Sequence, residues 1–444
     1  MDGDEIRKVV RETNYVTWRR QGGWEPLVVA RMEGSRFWDS NGKEYLDLSS
    51  QLVATNLGHG NAHVAEAIAQ QAKELAYAAP GFATEARAKT SLALIDVLPK
   101  GVNQLFFSTS GTEANEAALK IARAATGRSK VLARYRSYHG STAASISVTG
   151  EFRRRSSEKV QKVPGTVFAP DCYCYRCPFG LTYPDCGIAC AEFVDYQLSR
   201  EGDVAAMIVE PVVGTNGVIV PVPEYLPRIR EITKKHGTLL IADEVMSGWG
   251  RVGEWFAVNH WNVTPDILTT AKGITGAQIP LGLTATTAAV HDAFRENYFP
   301  HGHTYEAHPL TLYPAVAAIE EYRRLNLIEK SRKDGEYLLA RLKEIQTRHP
   351  SVGEVRGLGL FAAVELVKNR KTKEPFNTED DKMMGRPLLI DQVTGAMMKE
   401  GVFCIGWVSH LVVGPPLIVT REELDHGLAV LDRALAIADA KVEG

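Results

Sequence analysis

The sequence predicts an α/β protein built around a mostly parallel sheet. From about Gly58 to Val290, a helix, a short apolar strand and a glycine-containing turn alternate several times. The strand candidates are short unbroken runs rich in Val, Ile and Leu, as burial on both faces of a parallel sheet requires. Polar residues follow these strands, where ligands bind in such sheets.

Taken in order, "RFWDSNGKEYLDLSS" from Arg36 to Ser50 reads as two strands joined at Asn41-Gly42, a dipeptide that favours hairpins. Helices are predicted over Val64–Leu75 and Thr84–Val97. Strands are predicted at Gln104–Ser108, Val131–Arg134, Ala205–Val209, Thr238–Ala242 and Ile267–Thr270. A helix-rich stretch from Tyr313 to Arg348 leads to strand character from Leu360, a polar loop from Lys368 to Met384, and a last helix from Glu422. That C-terminal segment reads as a second α/β lobe whose strands would join those of the N-terminus.

Composition limits the function classes. The 444 residues carry a net charge of −2, which leaves no basic excess for nucleic acid or an anionic bilayer. Met1 to Val16 lacks an apolar stretch and no uncharged apolar run reaches 18 residues, so a cytoplasmic protein is expected. At about 150 residues per domain, two or three lobes are expected.

Four segments carry chemistry. In "LFFSTSGTEANEAALKIARAATG", Ser110, Gly111 and Thr112 join a strand to a helix whose free N–H groups favour an anion, although Ser and Thr are also ordinary helix caps. In "LLIADEVMSGWGR", Asp243 and Glu244 end a buried strand; such carboxylates serve as metal ligand, general base, counter-charge of a protonated heterocycle, or a structural acidic pair. In "DILTTAKGITG", Lys272 ends another strand, where desolvation makes a nucleophilic amine unless the chain snorkels to water. Tyr138-His139-Gly140 follows a fourth strand, and Tyr138 could lie flat on a ring or pack in the core. Together an anion site, a stacking face, a carboxylate and a lysine are the parts that pyridoxal phosphate requires.

These residues also carry a family resemblance. "STSGTEANEAALKIAR", "YHGST", "IVEPV", "IADEVMSGWGR", "TAKGITGAQIPLG", "HGHTYEAHPL" and "GPPLIVTREELD" occur in the order found in class III aminotransferases of the fold type I pyridoxal phosphate enzymes, and the chain resembles that family over nearly its whole length. The resemblance implies a large cofactor domain over 58–325, including the Cys-rich segment 171–191, and a small domain made from 1–57 and 326–444. It implies that Lys272 holds the internal aldimine and moves the substrate proton, that Asp243 pairs with the pyridinium nitrogen, and that Val245 packs opposite Tyr138. Ser110, Gly111 and Thr112 would hold the phosphate, with His139 and Glu210 beside the cofactor. A homodimer, or a tetramer of two dimers, would place Thr304 on the phosphate of the neighbouring subunit.

The substrates implied are a small amine donor and a keto acid acceptor. Met246 stands where many relatives have Gln, and Ile405 stands where relatives that bind an α-carboxylate have Arg. With no arginine there, pyruvate is expected as acceptor ahead of 2-oxoglutarate. Leu52 and Val53 suggest an apolar pocket for ω-amino acids, taurine-like sulfonates or hydrophobic amines, with Trp24, Trp407 and His410 as further pocket candidates. A pyridoxal phosphate isomerase, an aminomutase or a racemase, is the rival reading, because fold does not dictate reaction.

Five of the six cysteines fall between Cys172 and Cys190. Reduced thiols acting as small apolar groups are the first expectation, and no metal is needed for the chemistry. Zinc held by Cys174, Cys177, Cys186 and Cys190 is the second reading, and a disulfide the third.

Overall fold

The computed structural model describes residues 1–160 and 162–443. Its centre is a seven-stranded sheet in the order Val102–Ser108, Gly282–Thr287, Ile267–Thr270, Leu239–Asp243, Val204–Val209, Lys130–Arg134, Thr166–Ala169. Gly282–Thr287 runs antiparallel to both its neighbours, and the remaining pairings are parallel. All five predicted strands are present. Gly282–Thr287 and Thr166–Ala169 were not foreseen. The first reads "GLTATT", too polar for a Val/Ile/Leu search, yet it is buried because hydroxyls find backbone partners, as when Thr284 Oγ1 donates to Ala114 O at 2.7 Å.

Helix Gly111–Thr126 shows how local sequence builds the site. Ser110 Oγ accepts from the Glu113 N–H at 3.2 Å to cap the start, and Gly127 ends the helix with φ +67°. Ala114, Ala117, Ala118, Ile121 and Ala122 form its buried stripe, and alanines let the helix lie close on the sheet. The anion reading and the cap reading of Ser110 are therefore compatible, since the side chain satisfies only one N–H.

Two smaller sheets come from the chain ends. Arg36–Asp39 and Glu44–Asp47 form the predicted hairpin, with Gly42 at φ +81°, and Val402–Phe403 joins Glu44–Asp47 in parallel. The other sheet orders Val352–Gly357, Ala362–Asn369, His410–Val413 and Ile405–Trp407. Arg251, fully buried in the loop after the large sheet's central strand, ties these parts together by donating to Leu360 O, Pro415 O, Ser50 Oγ and Asn56 Oδ1. Among the described residues no helix is long and apolar enough to cross a membrane.

Candidate active site

A cavity of about 1330 Å³ opens beyond the carboxyl ends of the large sheet's strands, between that sheet and the chain-end segments. Ser110, Gly111, Thr112, Tyr138, His139 and Glu210 line it. So do Asp243, Val245, Met246 and Lys272. Five strand ends converge there, which explains why residues about 160 positions apart in sequence share one space.

Asp243 and Glu244 part company because adjacent strand residues face opposite ways. Asp243 faces the cavity and is held on both oxygens. Its Oδ1 accepts from the Val245 N–H at 3.0 Å, and its Oδ2 accepts from Asn115 Nδ2 at 2.7 Å and from His139 Nδ1 at 2.8 Å. Asn115 is fixed in turn by Thr269 Oγ1, which donates to its Oδ1 at 2.7 Å. His139 therefore carries its proton on Nδ1, since a carboxylate can only accept. Glu244 turns into the protein, takes Ser247 Oγ and the Val258 N–H, and is pushed up to about 7 by burial.

Lys272 follows its strand in a left-handed backbone conformation, φ +49°, unusual for a side chain of this size. Burial lowers its amine to about 8, against the opposing pull of Asp243 and Glu210. Glu210 is locked by two backbone donors, Tyr138 N–H to Oε1 at 3.0 Å and Gly214 N–H to Oε2 at 2.7 Å, and burial raises its carboxyl. From behind, the buried Arg134 donates to Glu210 O.

These residues fit pyridoxal phosphate on direct observations. Neither the Gly111 nor the Thr112 N–H donates to an acceptor among the described residues, so a helix of 16 residues presents free donors to the cavity. A β-carbon on Gly111 would lie 2.9 Å from both Val245 methyl carbons, and one on Gly140 would lie 2.8 Å from Thr112 Oγ1, so the cradle is closed to larger residues. A buried carboxylate and a buried amine supply the charges that a pyridine nitrogen and an aldehyde call for.

Of the pocket candidates, Trp24, Leu52, Val53 and Trp407 line the cavity, as does Ile405. Leu52 and Val53 sit on a loop in which Ser50, Gln51 and Val53 all have positive φ, held by the buried Asp47 carboxylate taking the Ser49 and Gln51 N–H groups. His410 is a correction. It is buried away from the cavity, bonds Thr215 O at 2.9 Å through Nε2, and burial drives it down to about 3. It shares a sheet face with its register partner Trp407, but its ring is buried against Thr215 and does not reach the cavity.

Thr304 is exposed and lies outside this cavity; its carbonyl accepts from Tyr77 Oη at 3.2 Å. The cysteines all remain free thiols, and among the described residues no three His, Cys, Asp or Glu side chains are grouped to hold a metal. Cys174, Cys177, Cys186 and Cys190 are not brought together in such a group. Cys174 is exposed, while Cys190 packs on the apolar core from the first turn of helix Ala189–Glu201 and burial raises it to about 12.

Sequence reasoning missed Arg153, Trp18 and Asn115. Arg153 lines the cavity with its guanidinium 3.8 Å over Tyr138, 4.6 Å from the Trp407 ring centre and 5.4 Å from that of Trp18. Its Nε donates to Glu151 Oε1 at 2.5 Å, while its Nη2 is buried without a partner. Nothing distinguishes it in the run Arg153-Arg154-Arg155, which reads as a solvated helix face. Asn115 carried a signal, being a polar residue inside the buried stripe of its helix.

The sequence pattern of the family described as "Aminotransferase class-III" matches residues 19–435. A taurine–pyruvate aminotransferase from Bilophila wadsworthia is 36% identical over 471 residues, covering 99% of this chain and 99% of that protein. A leucine/methionine racemase from Thermococcus litoralis is 34% identical over 421 residues, covering 93% of this chain and 91% of that protein. Among solved structures, the taurine:2-oxoglutarate aminotransferase from Bifidobacterium kashiwanohense, determined in complex with PLP and glutamate, matches with a TM-score of 0.94 at 34% identity, covering 100% of this chain and 99% of that one.

Proposed function

The chain belongs to the class III aminotransferases, and from that premise we propose that it moves an amino group to pyruvate from an amine whose far end is acidic, an ω-amino acid or an aminosulfonate. Its cofactor is pyridoxal phosphate and its fold is that of the fold type I enzymes. The observation that carries the substrate reading is Arg153, a buried cation with Nη2 unpartnered in the wall of the cavity. A buried guanidinium nitrogen without an acceptor is costly, and a carboxylate or sulfonate supplies the missing one in charge-assisted form. The other arginines of the lining, Arg19, Arg20 and Arg386, are exposed. One buried guanidinium suits an acceptor with one carboxylate, which favours pyruvate over 2-oxoglutarate.

When bound, pyridoxal phosphate supplies an aldehyde carbon that carries the amino group and a ring that takes up an electron pair. Free N–H groups at Gly111 and Thr112 would hold the phosphate. Asp243, whose carboxylate takes three hydrogen-bond donors, would pair with the protonated ring nitrogen. Lys272 Nζ takes the proton from the substrate carbon and returns it, a task suited to an amine lowered to about 8 by burial. Val245 and Tyr138 would confine the ring, and Val53 and Ile405 add apolar surface to the cavity wall.

The same reading takes the enzyme as a cytoplasmic homodimer with 58–325 as the cofactor domain and the two chain ends as the small one. In support of the dimer, Thr304 stands exposed beside two exposed aromatics, Tyr77 and Tyr305, which are 45% and 58% accessible in the single chain. The racemase relative makes isomerisation the second reading. Incubation of holoenzyme with taurine or β-alanine and pyruvate separates them: alanine should form in proportion to donor consumed. Turnover of an amino acid with no keto acid present would establish the isomerase instead.

A further inference from the structure

We infer that Glu151 is a positioning residue that aims Arg153 at the substrate's acidic group and sets how much of its positive charge is felt there. This rests on the acidic-donor reading above. Glu151 occupies the N-cap position of helix Phe152–Ser157 and makes no cap bond. Its Oε1 instead takes the Arg153 Nε–H at 2.5 Å, and both side chains are almost wholly buried. Buried arginine–carboxylate pairs frequently form two parallel bonds. This pair forms one, leaving Arg153 Nη2 and Glu151 Oε2 each buried without a partner.

The geometry has a direct consequence. Engagement at Nε fixes the guanidinium plane, already sandwiched against Tyr138 and Trp407, and leaves the terminal nitrogens without a hydrogen-bond partner among the described residues, with Nη2 enclosed by its neighbours. Rotation of Arg153 into a bidentate pair with Glu151 would consume those nitrogens. A substrate carboxylate or sulfonate completes the arrangement.

The charges around the pair come from its own helix, the segment 379–383 and the sheet, from which Lys272 also feels Arg153. On its own helix, Arg154 turns to Glu158 and Arg155 reaches Asp380 at 2.9 Å. On the packed segment 379–383, Glu379 lies 3.5 Å from Arg155 and Lys382 sits 5.5 Å from the Trp407 ring centre. Tyr138 faces the guanidinium. Burial, with Glu379 adding to it, pushes Glu151 up to about 7 against the pull of Arg153. Near neutral pH Glu151 thus changes between a carboxylate that offsets Arg153 and a neutral acid that still accepts from Nε. Acidic donors should bind more weakly as pH rises through this range.

Steady-state kinetics of the holoenzyme with pyruvate test this, using the ratio of KM for taurine to KM for 1-phenylethylamine between pH 6 and 9. In wild type the ratio should rise several-fold with pH. Glu151→Gln, which keeps the acceptor without the charge, should hold the ratio at its low-pH value throughout. Glu151→Leu, which removes the acceptor, should raise the ratio at least about 10-fold at every pH. A wild-type ratio that ignores pH, or a Glu151→Gln profile superimposable on wild type, overturns the inference. Arg153→Met separates this from the reading beneath it. If that variant raises the ratio while Glu151→Gln changes nothing, only the role of Glu151 falls; if it leaves the ratio unchanged, the acidic-donor reading falls with it.

Discussion

Gly111 lies so close to Val245 that a β-carbon on it would sit 2.9 Å from both valine methyl carbons. The backbone that offers free N–H groups and the side chain expected on one face of the ring therefore form a single rigid wall. Gly111→Ala should push Val245 into the cavity at a cost of about 1–3 kcal/mol, lowering cofactor affinity about 10- to 100-fold. Titration of cofactor-free protein with pyridoxal phosphate measures this, and unchanged affinity in a folded variant would refute the wall.

Asn115 acts at one remove, through Asp243 Oδ2. Replacing it with Ala deletes a hydrogen bond to a charged group, an effect of about 1.5–3 kcal/mol, so single-turnover rates should fall roughly 10- to 100-fold. The cofactor should remain bound. A rate within twofold of wild type would remove Asn115 from the site's electrostatics.

Burial leaves Lys272 with a site value of about 8 in place of the ordinary value. Cofactor-free enzyme should capture pyridoxal phosphate at a rate that rises with pH and levels off above about 8, well short of the ~10.4 of a solvated lysine. Lys272→Ala should capture none covalently and show no turnover. A capture rate still climbing between pH 9 and 10.5 would mean a solvated amine.

His410 gives a stability test outside the cavity. Folded His410 resists protonation down to about 3 because it is buried, whereas in the unfolded chain it takes a proton below about 6.5. The unfolded state binds the extra proton, so wild type loses stability as pH falls through 6.5, at up to about 1.4 kcal/mol per pH unit. Against a His410→Gln variant, the wild-type melting temperature should drop progressively from pH 7 to pH 5. Parallel curves would show that His410 titrates normally.

The central sheet and its strand-end chemistry were readable because parallel strands announce themselves as apolar runs and glycine, aspartate and lysine mark their ends. Gly282–Thr287 escaped because buried threonines hide behind backbone acceptors. The cofactor cradle was legible from local sequence, since strand, Ser110-Gly111-Thr112 and helix are contiguous. The acid-binding wall was not. Arg153 is distinguished from Arg154 and Arg155 only by which way a six-residue helix turns, and the two tryptophans beside it arrive from opposite ends of the chain. His410 was misplaced for a different reason: it shares a sheet face with Trp407, and its burial against Thr215 is a contact between residues far apart in the chain.

The most direct test compares donors with and without an acid group in Arg153→Met. Loss of a charge-assisted bond should raise KM for taurine and β-alanine about 10- to 150-fold with pyruvate as acceptor, while KM for 1-phenylethylamine stays within about threefold. Equal losses for acidic and neutral donors, or none for either, would contradict Arg153 as the anchor of an acidic substrate.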